Sequence, residues 1–145
     1  MKSRTLSATV MILLTPLVVL AFQAQAEQVR NRELKNKSFT VGSLKITLTS
    51  FFRSMSGQSI VYIEVENTSD HITAFVPQLL TFIDKDDNQV DIAGQYTARG
   101  SSLIAAGDKR VRPKARIKHF YELTDRVNLP ARLYYEDKLL ATIID

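Results

Sequence analysis

Cysteine is absent from all 145 residues. That excludes disulfides, thiol chemistry, a cysteine metal site and a lipid-modified cysteine anchor. Small exported domains with thin cores usually lean on disulfides, so a regular hydrophobic core must hold this chain together. Histidine is nearly absent as well, with only His71 and His119. Met55 is the single methionine beyond residue 26. A zinc or copper site would need all three to converge or would recruit carboxylates, and no metal or other cofactor is expected. No stretch of ten or more residues has a helical period, and no internal repeat or low-complexity run is present.

The N-terminus differs in kind from the rest. Lys2 and Arg4 precede an apolar run from Val10 to Phe22, and Ala24-Gln25-Ala26 supplies small residues for cleavage. A charged start, an apolar middle and a small-residue exit make a secretory signal peptide. The run is about 13 residues, short of the roughly 20 that span a bilayer, and Pro16 interrupts it. The expectation is cleavage after Ala26 and a periplasmic or secreted protein with no transmembrane segment. Removing Lys2 and Arg4 lowers the 19 basic side chains to 17, against 15 acidic ones. Charge is thus nearly balanced overall, and its distribution matters more.

Residues 27–42 are set apart as a polar N-terminal segment, of which Glu27–Lys37 reads as a loose tail or at most a short helical turn. From Ser43 the pattern changes to period two, the mark of half-buried strands. Leu44, Ile46 and Leu48 alternate with Lys45, Thr47 and Thr49; Val61, Ile63 and Val65 alternate with Tyr62, Glu64 and Glu66. Gly57 loosens the turn between these two segments. Asn67-Thr68-Ser69-Asp70 ends the second, since short polar side chains bond their own backbone. Leu79–Asp84 and Gln89–Ile92 form a hairpin through Asp86-Asp87-Asn88. Gly94–Ser102 reads as a loop with Tyr96 as a plug. Lys109–Leu123 reads as one long extended segment, and Leu133–Tyr135 with Leu139–Ile144 as a terminal hairpin. Seven or eight short strands at roughly ten-residue spacing predict an all-β sandwich or small barrel over residues 43–145.

The order of these features resembles the small bacterial extracytoplasmic immunoglobulin-like single-domain proteins of unknown function. A strand, Val61–Glu66, runs into Asn67-Thr68-Ser69, and Leu80–Asp84 leads to an acidic turn. Ala106-Gly107-Asp108 precedes a long strand ending Phe120-Tyr121-Glu122-Leu123, and Pro130 precedes the last pair. The likeness covers roughly Ser43 to Asp145. Asn88-Gln89 stands where such domains often carry glycine. The resemblance implies an immunoglobulin-like antiparallel β-sandwich and favours binding over catalysis; it carries no site residues across.

One segment invites a chemical reading. Arg110, Arg112, Lys114, Arg116 and Lys118 occupy every second position, with Val111, Pro113, Ala115 and Ile117 between them. In a continuous strand all five cations would share one face, about 7 Å apart. Such a ridge would bind phosphate-rich head groups, acidic polysaccharide or an acidic protein, with salt sensitivity. The alternative is a solvated face whose charges discourage edge-to-edge pairing, and Pro113 agrees with it. Nucleic acid is not expected, because no aromatic side chain interleaves with the cations.

Other motifs carry less. Asp84, Asp86 and Asn88 match the first ligand positions of a calcium loop, but Gln89 replaces its glycine and Gln95 its closing glutamate; a hairpin turn is expected. Asn36-Lys37-Ser38 and Asn67-Thr68-Ser69 fit the glycosylation pattern and read as polar turns. No nucleophile, base and orienting group stand in a recognisable motif. The expectation is therefore a non-enzymatic binding or adaptor module facing another envelope protein or an anionic envelope surface. Two alternatives stay open: a small-ligand or metal carrier lined by Tyr96, His119 and Tyr121, or a structural part that pairs through an edge strand.

Overall fold

The alternation of apolar and polar side chains becomes strands in the computed structural model, which describes residues 26–97, 100 and 102–145. The expected signal peptide lies outside the described residues apart from Ala26. Twelve strands follow in order: β1 (Glu27–Arg30), β2 (Lys37–Val41), β3 (Leu44–Arg53), β4 (Ser59–Asn67), β5 (Thr73–Phe75), β6 (Leu80–Ile83), β7 (Gln89–Tyr96), β8 (Leu103–Ile104), β9 (Lys109–Val111), β10 (Arg116–Leu123), β11 (Ala131–Tyr135) and β12 (Lys138–Ile144). The only helical pieces among the described residues are two 3-10 turns, Asn31–Glu33 and Pro77–Leu79. The protein is all-β.

Nine strands form one hydrogen-bonded path, β1-β12-β11-β6-β7-β10-β4-β3-β2, with β8 appended to β7 and a separate pair made by β5 and β9. β7 is the corner. Its first residues, Gln89–Asp91, pair with β6, whereas Ile92, Gly94 and Gln95 pair with β10. A register shift at Glu122/Leu123 marks the same place, and a bulge there adds twist. The sheet therefore curls, and β5 with β9 makes a small second sheet.

The inward set of these strands forms one buried hydrophobic cluster. Ile46, Leu48, Val61, Ile63, Val65, Phe82, Leu123, Leu133 and Ile143 are all buried. Each such side chain contributes about 1.5–3 kcal/mol of hydrophobic stabilisation.

Two expectations about chain organisation are corrected. Residues 27–41 are not a loose tail. β1 runs parallel to β12, pairing Val29 with Ile143, and β2 runs antiparallel to β3. Val29, Leu34 and Phe39 join the core. The sheet is consequently mixed. Where its two ends approach, Lys37 Nζ donates to Glu27 Oε1 at 2.7 Å and Lys138 Nζ to the Thr40 carbonyl at 2.6 Å. The bond to Glu27 raises the Lys37 pKa. Nor is Gly94–Ser102 wholly a loop, because Gly94, Gln95 and Tyr96 continue β7.

Candidate functional site: the open half of strand β10

Lys109–Leu123 is not one continuous strand, and the five-cation ridge does not form. β9 ends at Val111, and a turn follows in which the Ala115 N–H donates to the Arg112 carbonyl at 3.1 Å. Pro113 occupies the second position of that turn, where its fixed φ belongs. Lys114 takes a left-handed backbone, φ 58°. The alternation restarts at Arg116, so the five cations share no common face. Arg110 sits on β9 opposite Ala74, and Arg112 opens the turn. Lys114 donates to the Thr68 carbonyl and lies 3.3 Å from Asp70. Only Arg116 and Lys118 remain together, on the outer face of β10.

These two are already paired. In register, Arg116 faces Glu66 and Lys118 faces Glu64 on β4. Arg116 lies 3.2 Å from Glu66 and 3.4 Å from Glu64, and Lys118 lies 3.1 Å from Glu64. The cations stay 58% and 56% exposed, so each pair adds only about 0.2–1 kcal/mol. Their shared carboxylates fix position more than they add stability.

Further along the same face the chemistry turns apolar. Phe120 faces Tyr62 in register, and the rings stack with centroids 4.2 Å apart. Phe52 meets Phe120 edge-on at 6.3 Å. Phe120 is nevertheless 41% exposed and Phe52 42%. Interactions of this kind are worth about 0.5–1.5 kcal/mol beyond area burial, so the trio is a fixed platform.

Among the described residues, β10 is also half unaccompanied. β7 pairs with it from Leu123 to Tyr121 and then diverges, whereas β4 accompanies it from Glu122 to Arg116. Gly94 lets β8 approach β7 closely: a Cβ there would stand 2.7 Å from the Ile104 carbonyl and 3.1 Å from the Leu103 side chain. Ile117 and His119 point inward but are only half-buried, while their partners on β4, Val65 and Ile63, are buried.

A cavity of about 290 Å³ opens at this fork, lined by Tyr62, Gln95, Tyr96, Thr97, Lys118, His119 and Phe120. Tyr96 donates its hydroxyl to Glu122, and that bond raises the Tyr96 pKa, helped by burial. Burial, then the nearby Lys109, lowers the His119 pKa, so its imidazole is neutral at neutral pH. Gln95 is 7% exposed, and among the described residues its Oε1 has no hydrogen-bond partner. Of the three residues expected to line a carrier site, the fork brings together Tyr96 and His119. Tyr121 is not part of the lining; its ring is buried and lies 5.9 Å from that of His119.

The acidic turn is a turn. The Asp84 carboxylate accepts from the Asp86 N–H at 2.8 Å and the Asn88 N–H at 3.0 Å, with the Asn88 side chain also in reach. Burial pushes the Asp84 pKa up, but the bonds from Asn88, Asp86 and Asn128 outweigh it and the net shift is downward. Asp87 takes the left-handed backbone, φ 60°, that a glycine would otherwise supply. Among the described residues no three His, Asp or Glu side chains gather as a metal site, and no helix is long and apolar enough to cross a membrane. Asn67 is fully buried, and its amide donates to the His71 and Val111 carbonyls. It ties β4 to β9 and is inaccessible for glycosylation.

The chain matches no family model and no curated protein. Among solved structures it is similar to the yjhA protein from Bacillus subtilis, at 13% sequence identity over 68% of this chain and 76% of that one, with a TM-score of 0.49.

Residue patterns alone missed Gln95 and the partnership of Tyr62 with Phe120. Each of the aromatics sits on the polar side of an otherwise alternating strand. An aromatic in a solvent-facing position was the available signal.

Proposed function

We propose that the chain is an exported, non-enzymatic adaptor, an immunoglobulin-like module that engages another component of the cell envelope through the outer face of β10. The signal-like features of residues 2–26 support export. The all-β, mostly antiparallel architecture supports the immunoglobulin-like reading. One observation carries the function: Phe120 is held by Tyr62 and Phe52 yet remains 41% exposed, on a strand that among the described residues lacks a neighbour on one side over Arg116–Phe120. Fixed, exposed aromatics are the anchors that binding surfaces use, because little side-chain entropy is lost when they are covered.

A photo-crosslinking residue placed at position 120 tests this reading in intact cells. A discrete adduct is expected there and not from position 132, which lies on β11, three strands away along the sheet. Equal labelling from both positions, or none, would overturn the adaptor reading.

The carrier reading has one observation in its favour, the unpartnered Gln95 Oε1 at a cavity also lined by Tyr96 and His119. Sites for small organic ligands usually span roughly 300–1,000 Å³, and about 290 Å³ stands at the lower edge of that range. A carrier would gain melting temperature with its ligand, whereas the adaptor gains it with its protein partner alone.

A further inference from the structure

We propose that the open half of β10 receives an extended peptide as an additional strand, with acidic residues alternating on the outer side and apolar residues between them. This deepens the adaptor reading and rests on it: it names the chemistry of what that face holds.

The backbone supplies the first argument. Among the described residues, β10 is paired from Arg116 to Phe120 on the β4 side alone. A strand open on one side presents a template for another chain, and main-chain hydrogen bonds give such additions their affinity.

The two faces of β10 supply the second. Inward, Ile117 and His119 are half-exposed although Val65 and Ile63 beside them are buried. An added strand would set its apolar side chains about 4.5–5.5 Å from these two and cover them. Outward, Arg116 and Lys118 have carboxylates on one flank and remain more than half exposed. Carboxylates on the other flank would place each cation between two anions. The stretch Glu64-Val65-Glu66 on β4 already has this alternation, so the peptide repeats on one side what the fold provides on the other.

Charge also selects against a second copy of this chain. Antiparallel self-pairing centred on Lys118 sets Lys118 against itself, and centring on Ile117 sets Arg116 against Lys118. In-register parallel pairing aligns every cation with its duplicate. Like charges directly opposite are destabilising.

The fork cavity fits the end of such a strand. It adjoins Lys118 and Phe120, where β7 diverges, and its volume of about 290 Å³ takes one side chain. A hydroxyl or amide on that side chain would supply Gln95 Oε1 with a donor.

The probe is acetyl-Val-Glu-Val-Glu-Val-Glu-Val-amide, titrated into protein purified from cells expressing the full chain. Binding should slow amide exchange at Arg116–Phe120 and weaken with added salt. Reversing the charge of an exposed cation, Lys118→Glu or Arg116→Glu, should weaken it by about tenfold. The same peptide N-methylated at alternate residues should not bind, a control that needs no protein variant. Equal binding of the N-methylated peptide, unchanged exchange at Arg116–Phe120, or a stable dimer without peptide would overturn the inference. If position 120 gives its specific adduct while the peptide fails to bind at millimolar concentration, the strand addition is wrong and the adaptor reading stands. If both fail, both are wrong.

Discussion

Two buried tyrosines flank Phe75 and provide matched tests of opposite sign. Tyr135 stacks on Phe75 with centroids 5.6 Å apart, and Tyr121 lies 6.5 Å away on a tilted plane. The Tyr135 hydroxyl accepts the Val76 N–H at 3.1 Å, whereas the Tyr121 hydroxyl has no hydrogen-bond partner among the described residues. Burial raises the pKa of both, so both are neutral at pH 7 and no charge complicates the comparison. A hydroxyl buried without a partner costs about 1–3 kcal/mol, and removing half of a made bond costs a similar amount. Tyr121→Phe deletes the uncompensated group and keeps the ring; the small void left behind offsets part of the gain. The expected result is stabilisation by about 1 kcal/mol, a rise of about 3–5 °C in melting temperature. Tyr135→Phe strands the Val76 N–H and should lose about 1–2 kcal/mol. Urea unfolding with unchanged m-values reads both differences. Destabilisation by Tyr121→Phe, or changes of the same sign in the two variants, would refute the reasoning.

Three further outcomes are expected. Leu34→Ala should cost about 2–5 kcal/mol in the same urea assay, because Leu34 is core; a loose tail would show no change. Gly94→Ala should displace the Ile104 carbonyl 2.7 Å away, lowering the melting temperature and speeding amide exchange at Leu103 and Ile104. Asp84→Asn should lower stability at neutral pH. Since the folded pKa of Asp84 lies below its ordinary value of 3.8, the ionised form's contribution is complete above that value. It is lost as pH falls through the lower folded pKa, so melting curves of the two proteins should converge in strong acid.

Strands with clean alternation were legible. Val61–Glu66 stands where period two placed it, because one face is buried and the other is not, and the terminal hairpin of Leu133–Tyr135 with Leu139–Ile144 forms about its polar turn. Two kinds of element were not. β1 is four residues long with one buried side chain, Val29, too short for a period to register. Its place depends on β12, over a hundred residues later, and no local pattern carries that information. The cation series failed for the opposite reason. Its period was perfect over nine residues, but alternation in sequence becomes a common face only if the backbone stays extended. Pro113 and the left-handed Lys114 turn it instead. The candidate site was half legible: Arg116, Lys118 and His119 belong to it, whereas Gln95 and the Tyr62–Phe120 stack depend on which strands become neighbours.

The surviving cations have a double role on the proposed strand-addition site. An open strand edge threatens any exposed sheet protein, because every copy offers the same template, and lysine on an edge is a common defence. Arg116 and Lys118 serve that defence against copies of this chain through like-charge opposition. The same positive pair, standing outward beside inward Ile117 and His119, admits a strand of the opposite pattern. Protection and recognition are then one property of one segment, and a single substitution should move both. Lys118→Glu should weaken binding of the acidic peptide. It should also permit pairing between wild-type and variant chains, where Lys118 of one chain meets the introduced carboxylate of the other across the edge. Sedimentation velocity of the two proteins, alone and mixed, reads this directly: association is expected in the mixture and in the variant alone, where Arg116 meets the introduced carboxylate in the register centred on Ile117, and not in the wild type. Identical behaviour of all three samples would show that the charges of β10 do not govern what its edge accepts.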